Sequence, residues 1–130
     1  MVTPSNNVAI VREMYDLARR ANHKELRLRL DDDVVWNPAR EGAWRPCTNA
    51  DEVVRTLLWR AGVLKMRPAD TIDLGDRVLV QLRGRGLARL GARGLVAHLF
   101  QIIVLRGGKV VSIQDYPRRS DALAAAGLEA

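Results

Sequence analysis

The sequence is poor in cysteine, histidine and aromatic residues, and each shortage argues against a class of protein. Cys47 is the one cysteine among 130 residues, so no internal disulfide can form and a reducing, cytoplasmic location is expected. Two histidines far apart and a single cysteine supply no metal-site spacing, so we expect no metal. Aromatic residues are only 5%, too few to interleave with basic residues as nucleic-acid-binding surfaces do.

Long apolar runs are also missing. No run approaches the roughly 20 residues that cross a bilayer, so no membrane association is expected. Residues 1–7 lack a basic region followed by an apolar stretch, so they do not look like a secretory signal. The chain has an ordinary hydrophobic fraction of 48% and the length of one domain, which we place at residues 1–130. The net charge of +6 comes without a nucleic-acid motif, so nucleic acid is not an expected partner.

Apolar periodicity divides the chain into a helical first half and a second half of strands. Spacings of three and four predict helices, and alternation bounded by glycine predicts strands. The predicted helices cover about 8–21, 24–30, 50–61 and 120–126, and the predicted strands cover 34–37, 64–74, 77–88, 93–106 and 109–116. Helices followed by consecutive strands are typical of an α+β domain with helices packed on one face of the sheet.

Three stretches resemble one superfamily. The segment 106–116, RGGKVVSIQDY, and the tail 120–128, SDALAAAGL, are similar to SnoaL-like proteins, the polyketide cyclases and their relatives. Residues 8–38 also fit, with Met14-Tyr15 on a helix and a strand ending in Asn37-Pro38. The sequence therefore resembles nuclear transport factor 2-like proteins, including ketosteroid isomerases. The resemblance implies a cone-shaped, curved antiparallel sheet, with the N-terminal helices on its concave face around a pocket for a small apolar molecule.

The last two strands predict which residues face that pocket. A two-residue hairpin loop at Gly107-Gly108 would pair Arg106 with Lys109, and residues directly opposite share a face. The resulting pocket face consists of His98, Phe100, Ile102, Val104, Val111, Ile113 and Asp115. The opposite face, which carries Gln101, would lie outside and could bind a second copy of the chain in a homodimer. A register slip of one residue would exchange the two faces.

Asp115 is the first catalytic candidate. It falls at the position where the resemblance implies a general base, and burial on an apolar face would raise its pKa. His98, diagonal to it in this register, could assist proton transfer. A strand-end aspartate that is solvated or paired with Arg118 or Arg119 is the alternative.

Tyr15 matches the tyrosine of the isomerases that donates a hydrogen bond to a developing oxyanion. Asn37 could orient a carbonyl or a water, and Trp36 and Trp59 could line the pocket. However, Asn37 occupies the position of the isomerase base, and the position of the second isomerase acid aligns near Phe100. Because neither residue is an acid, steroid isomerisation by that machinery is not expected.

Two hypotheses about function remain open. The first is cofactor-free acid–base catalysis, such as isomerisation, cyclisation or dehydration, on a small carbonyl or hydroxyl compound. The second is a non-catalytic ligand-binding or dimerisation domain of the same fold, in which Asp115 is structural.

Overall fold

A computed structural model describes residues 6–84 and 98–128. The elements follow the predicted order of helix, helix, strand, helix, four strands and helix. The helices are α1 (Asn7–Arg19), α2 (His23–Leu28), α3 (Ala50–Gly62) and α4 (Arg119–Ala125). The strands are β1 (Leu30–Asn37), β2 (Arg67–Asp73), β3 (Arg77–Arg83), β4 (His98–Arg106) and β5 (Lys109–Tyr116). The parts of the third and fourth predicted strands that cover 85–97 lie outside the described residues.

The first strand is longer than predicted. β1 begins at Leu30 and includes the acidic residues 31–33, which precede the predicted strand 34–37. The pairing of β1 with β5 shifts register between Leu30 and Val35, so these residues lie in an irregular part of the strand. Asp32 and Asp33 are exposed there, while Val34 and Trp36 are buried in the core.

Local capping explains where α3 begins. The Asn49 side chain accepts a hydrogen bond from the Glu52 N–H at 3.0 Å, and Glu52 Oε1 accepts one from the Thr48 N–H at 3.0 Å. This reciprocal arrangement is a variant of the capping box. It begins the helix directly after the segment 38–46, whose position matters for the site described below.

The sheet is mixed, whereas a purely antiparallel sheet was expected. The strand order is β1-β5-β4-β3-β2, and β1 runs parallel to β5 while the other neighbours are antiparallel. A parallel pair needs a long connection, and here the chain between β1 and β5 includes α3 and three strands. The sheet is not closed, because β1 and β2 lie at its two edges.

The predicted register of β4 and β5 is wrong beyond the hairpin. Arg106 pairs with Lys109 as expected, but the register shifts after Leu105, and Val104 pairs with Ser112. Val111 is therefore the extra residue of a β-bulge. Because the side-chain period of a strand is two, one extra residue exchanges the faces of one strand relative to the other.

Two buried clusters lie on opposite faces of the sheet. The larger one packs α1, α2 and α3 against residues of β1, β3, β4 and β5, including Val80, Ile103 and Ile113. We call the sheet face that it covers the inner face. The smaller cluster, on the outer face, packs Ala122 and Ala126 of the α4 segment against Leu79 and neighbouring residues. The helices therefore cover both faces of the sheet, with the larger core inside.

The shifted register moves three predicted pocket walls. Phe100 and Ile102 belong to the outer cluster, and Val104 follows them in the strand alternation. Their expected place on the face of Asp115 is therefore wrong. Val111, at the bulge, is half-buried and belongs to neither cluster. Ile113 lies on the inner face, fully buried, as expected.

No helix within residues 6–84 and 98–128 has both the length and the apolar character that a bilayer crossing requires.

Candidate functional site

A chain of buried polar side chains crosses the inner core. Asp115 is 2% exposed, and its Oδ1 accepts hydrogen bonds from Trp36 Nε1 at 2.7 Å and from Gln101 Nε2 at 2.8 Å. Its Oδ2 accepts one from Arg60 Nη1 at 3.0 Å. The Tyr15 hydroxyl donates to Gln101 Oε1. We call these five residues the Asp115 network; they come from α1, β1, α3, β4 and β5.

The fold brings the network together through strand pairing. Gln101 lies directly opposite Asp115 in the β4–β5 pair, so both side chains point to the inner face. Trp36 pairs with Ile113 in the parallel β1–β5 pair, two residues before Asp115 along β5. The helices α1 and α3 then lay Tyr15 and Arg60 over the same region.

Arg60 is held between two indole rings. Its Cζ lies 4.4 Å from the ring centroid of Trp36 and 4.9 Å from that of Trp44. The two rings are perpendicular, so a planar guanidinium can lie parallel to only one of them and presents an edge to the other. Nε of Arg60 is buried without a hydrogen-bond partner among the described residues. Cation–π attraction to both rings compensates the buried charge in part.

The hydrogen-bond partners of Asp115 are all donors, while its burial acts against ionisation. Burial raises the pKa of the Asp115 carboxyl above its ordinary value, and the positive charge of Arg60 and the hydrogen bonds from Trp36, Arg60 and Gln101 offset part of that rise. All three partners donate, which suits a carboxylate and leaves a protonated carboxyl without an acceptor among them. Burial raises the pKa of Tyr15 as well, with a further rise from the charge of Asp115, so its hydroxyl stays protonated and acts as a donor.

A surface cleft of about 810 Å³ lies beside this network. We call it the Trp44 cleft; it lies between the segment 38–46 and the ends of β1 and β5. Its lining residues are Asn37, Pro38, Ala39, Glu41, Gly42, Trp44, Arg45, Pro46 and Gln114. Asp115 is not among them. Trp44 contributes to the wall of the cleft and also packs on Arg60, so it connects the two features.

The segment that forms the cleft is anchored at both ends. Trp36 and Cys47 exchange two backbone hydrogen bonds of 3.0 Å each, which closes the base of the segment 38–46. Gln114 Nε2 donates to the Pro38 carbonyl at 3.0 Å and attaches the start of the segment to β5. These bonds preform the cleft instead of leaving its wall to a free loop.

The predicted site residues separate into several places. Asp115, Tyr15 and Trp36 meet in the network, and Asn37 lies at the exposed end of β1, where it lines the Trp44 cleft. Trp59 is 46% exposed on α3 and lines neither this cleft nor the network. His98 pairs with Arg83 in the β3–β4 register, and the shifted β4–β5 register no longer places it diagonal to Asp115. Its side chain lies outside the described residues.

Three residues of the site were missed by the sequence analysis. Gln101 was placed on the outer face by the wrong register. Arg60 had a detectable signal, because it lies three residues after Leu57 and seven after Val53 in the apolar stripe of α3. Trp44 had none, since it lies in the irregular segment between β1 and α3. Within the described residues, no group of three or more His, Cys, Asp or Glu side chains could hold a metal ion.

Comparison with known proteins identifies the fold. No protein-family model and no curated protein matches the sequence. Among solved structures, an NTF2-like protein from Burkholderia xenovorans superimposes with a TM-score of 0.64 at 22% identity, over 97% of this chain and 98% of that one. The chain has the nuclear transport factor 2-like fold.

Two other solved structures also match this chain. An LEH-like epoxide hydrolase of M. tuberculosis matches with a TM-score of 0.60 at 13% identity, over 83% of this chain and 79% of that one. A protein of Catenulispora acidiphila with a ketosteroid isomerase-like fold, in complex with trimethylamine, matches with a TM-score of 0.58 at 16% identity, over 92% of both chains. Since one fold serves several chemistries, the activity has to be argued from this chain's own residues.

Proposed function

We propose that this chain binds a small molecule in the Trp44 cleft, and that the Asp115 network is the rigid support of that cleft and not its catalytic centre. The observation that carries the proposal is the contrast between the two places. Asp115 is 2% exposed, accepts three hydrogen bonds and is ion-paired, whereas the cleft is open to solvent, preformed and about 810 Å³ in volume. Ligand cavities for small molecules fall in the range of roughly 300–1,000 Å³.

The lining of the cleft indicates the kind of ligand. Asn37 and Gln114 pair in the β1–β5 register and both line the cleft. The Asn37 carboxamide can donate and accept hydrogen bonds, whereas Gln114 Nε2 already donates to the Pro38 and Asp115 carbonyls and leaves its Oε1 to accept. Trp44 and two prolines supply apolar walls, while Glu41 and Arg45 place one charge of each sign at the rim. This combination suits a small molecule with an apolar body and hydroxyl or carbonyl groups.

The network supports the cleft through Trp44. Arg60 packs on the indole of Trp44 and is itself held by the carboxylate of Asp115. Trp36 donates to the same carboxylate, and its backbone closes the base of the segment 38–46. Loss of the ion pair is therefore expected to disturb the position of Trp44 in the wall of the cleft as well as the packing of the core.

Filling the cleft tests the proposal. Nile red, a neutral dye whose fluorescence rises in apolar surroundings, serves as the probe in a fluorescence titration of the full chain. Ala39→Trp places a large ring in the cleft, and we expect the dissociation constant of the dye to rise about tenfold or more, because a blocked cavity loses most of its apolar contact with the dye. Ala125→Trp, at an exposed position of α4, adds the same ring away from the cleft and should leave binding unchanged. Equal binding by Ala39→Trp and the unsubstituted chain would contradict the proposal.

Acid–base catalysis by Asp115 is the second candidate. It is favoured by the burial that raises the pKa of Asp115, and by Oδ2, which accepts only from Arg60 among the described residues. The expected activity would be exchange of α-protons of small cyclic ketones for deuterium in D₂O, followed by NMR. This candidate requires exchange that Asp115→Asn abolishes while the stability of the chain is preserved.

A further inference from the structure

A second, smaller cleft lies between α1 and the start of β2. Its volume is about 230 Å³, and its walls carry Arg12, Arg19 and Arg67 against the single acid Asp16. Tyr15, Met66 and Pro68 provide an apolar floor. We call it the arginine cleft; it shares no lining residue with the Trp44 cleft.

The charges around the arginine cleft do not balance. Asp16 is already paired twice, with Arg19 and with Arg20, the latter at 3.0 Å. No carboxylate of the described residues lies within ion-pair distance of Arg12 or Arg67. The cleft therefore has a surplus of positive charge that the described protein groups leave uncompensated.

Strand pairing increases this surplus. Arg67 lies directly opposite Arg83 in the β2–β3 pair. Like charges at directly opposite positions destabilise a sheet, and a bound anion would relieve that repulsion. Asp70, the nearest acid along β2, accepts a hydrogen bond from the Thr71 N–H, and it forms no ion pair with these arginines.

We propose that the arginine cleft binds a small oxyanion group, the phosphate or carboxylate of a small metabolite, through Arg12 and Arg67. The Nη2 of Arg12 donates to Thr71 Oγ1 at 3.2 Å, which holds its guanidinium over β2 and leaves other N–H groups to donate. Guanidinium groups bind both oxyanions through paired hydrogen bonds. The volume suits an anionic group on a short apolar body that rests on Met66 and Pro68, and it is too small for a nucleic-acid strand, which needs an extended groove.

Isothermal titration calorimetry of the full chain at low ionic strength tests this site, with inorganic phosphate and acetate as separate probes. We expect saturable binding of at least one of them, and the relative affinities distinguish the phosphate from the carboxylate. Arg12→Gln and Arg67→Gln should each weaken binding about tenfold or more, since each removes charged hydrogen bonds. Arg106→Gln, an exposed arginine at the β4–β5 hairpin, removes the same charge elsewhere and should have no effect.

Two results would overturn the proposal. One is an equal weakening by Arg106→Gln and Arg12→Gln, which would mean general attraction to a basic surface. The other is the absence of saturable heat with both anions. Arg12→Lys keeps the charge without the paired donors, and an intermediate affinity is expected for it. Amide NMR shifts on addition of phosphate should concentrate at α1 and the start of β2, and shifts spread over the whole surface would count against a site. The outcome is independent of Nile red binding in the Trp44 cleft.

Discussion

Asp115 shows how one residue's surroundings decide its role. Its carboxylate accepts hydrogen bonds from an indole, a carboxamide and a guanidinium, and the guanidinium is in turn enclosed by Trp36 and Trp44. Burying an ion pair lowers the free energy of unfolding through desolvation. Removing one partner of a buried pair lowers it further, because the other partner remains as an uncompensated charge. The immediate consequence of altering Asp115 is therefore expected in stability.

Asp115→Asn should lower the free energy of unfolding by about 3–5 kcal/mol, because it leaves Arg60 buried without its counter-charge. Urea denaturation followed by circular dichroism measures the loss. Asp33→Asn, at an exposed position of β1, is the matched control and should stay within about 0.5 kcal/mol. Replacing both partners, Asp115→Leu with Arg60→Leu, should recover much of the loss, since no buried charge then remains.

A different result would support the catalytic candidate. If Asp115→Asn keeps the stability of the unsubstituted chain and abolishes deuterium exchange into small ketones, Asp115 acts on substrate. If stability falls and no exchange is seen in any variant, the network is structural.

At the scale of elements, close backbone approaches set where strands begin and end. Gly84 follows β3 and lies against the segment before β2: a Cβ at this position would be 2.8 Å from the Leu64 carbonyl oxygen and 2.9 Å from that of Lys65. Both neighbouring atoms belong to the backbone, so a side chain there cannot be accommodated by a rotamer change. The β-bulge at Val111 is a second backbone feature of the sheet. It decides which side chains of β4 and β5 share a face.

Gly84→Ala should destabilise the chain by about 1–3 kcal/mol, because the added methyl group forces apart two backbone segments. Gly62→Ala is its control: Gly62 is the last residue of α3, and a Cβ there meets no atom within 4 Å. Alanine is the better helix former, so this substitution should be neutral or stabilise by up to about 1 kcal/mol. Opposite signs in urea denaturation are expected, and equal losses would contradict the close approach.

At the scale of the whole molecule, the sheet separates two apolar layers of unequal size. The inner layer contains the Asp115 network, and the outer one lies beneath α4. The strand face that carries Gln101 was predicted to bind a second copy of the chain, but Gln101 is buried in the inner core. Homodimer formation stays a prediction, and on the observed outer face α4 covers the part around Phe100 and Ile102.

Ala122→Asp tests how much α4 contributes. Ala122 is fully buried against the outer layer. A carboxylate there is expected to lower the free energy of unfolding by about 3 kcal/mol. If α4 contributes less than that to stability, the helix detaches instead and the loss equals its contribution. Ala125→Asp, exposed on the same helix, should be near neutral. Urea denaturation gives the loss, and hydrogen exchange shows whether α4 alone has opened. Similar behaviour of the two variants would mean that α4 does not stabilise the sheet.

Much of the architecture could be predicted from local pattern. Apolar spacing placed the helices and their order, and Gly107-Gly108 marked the β4–β5 hairpin. Each of these signals is contained within a few neighbouring residues, which is why the sequence reveals it. The resemblance of the segment 106–116 likewise pointed to the fold that the superposition shows.

The site depended on relations that no short stretch of sequence contains. A bulge of one residue at Val111 moved Phe100 to the outer face and put Gln101 opposite Asp115, because strand faces alternate with a period of two. The parallel pairing of β1 with β5 brought Trp36 to the same carboxylate. The sequence by itself determined the helices and the hairpin, because their signals are local. Only the tertiary structure decided that Arg60 neutralises Asp115, since their pairing joins residues 55 positions apart.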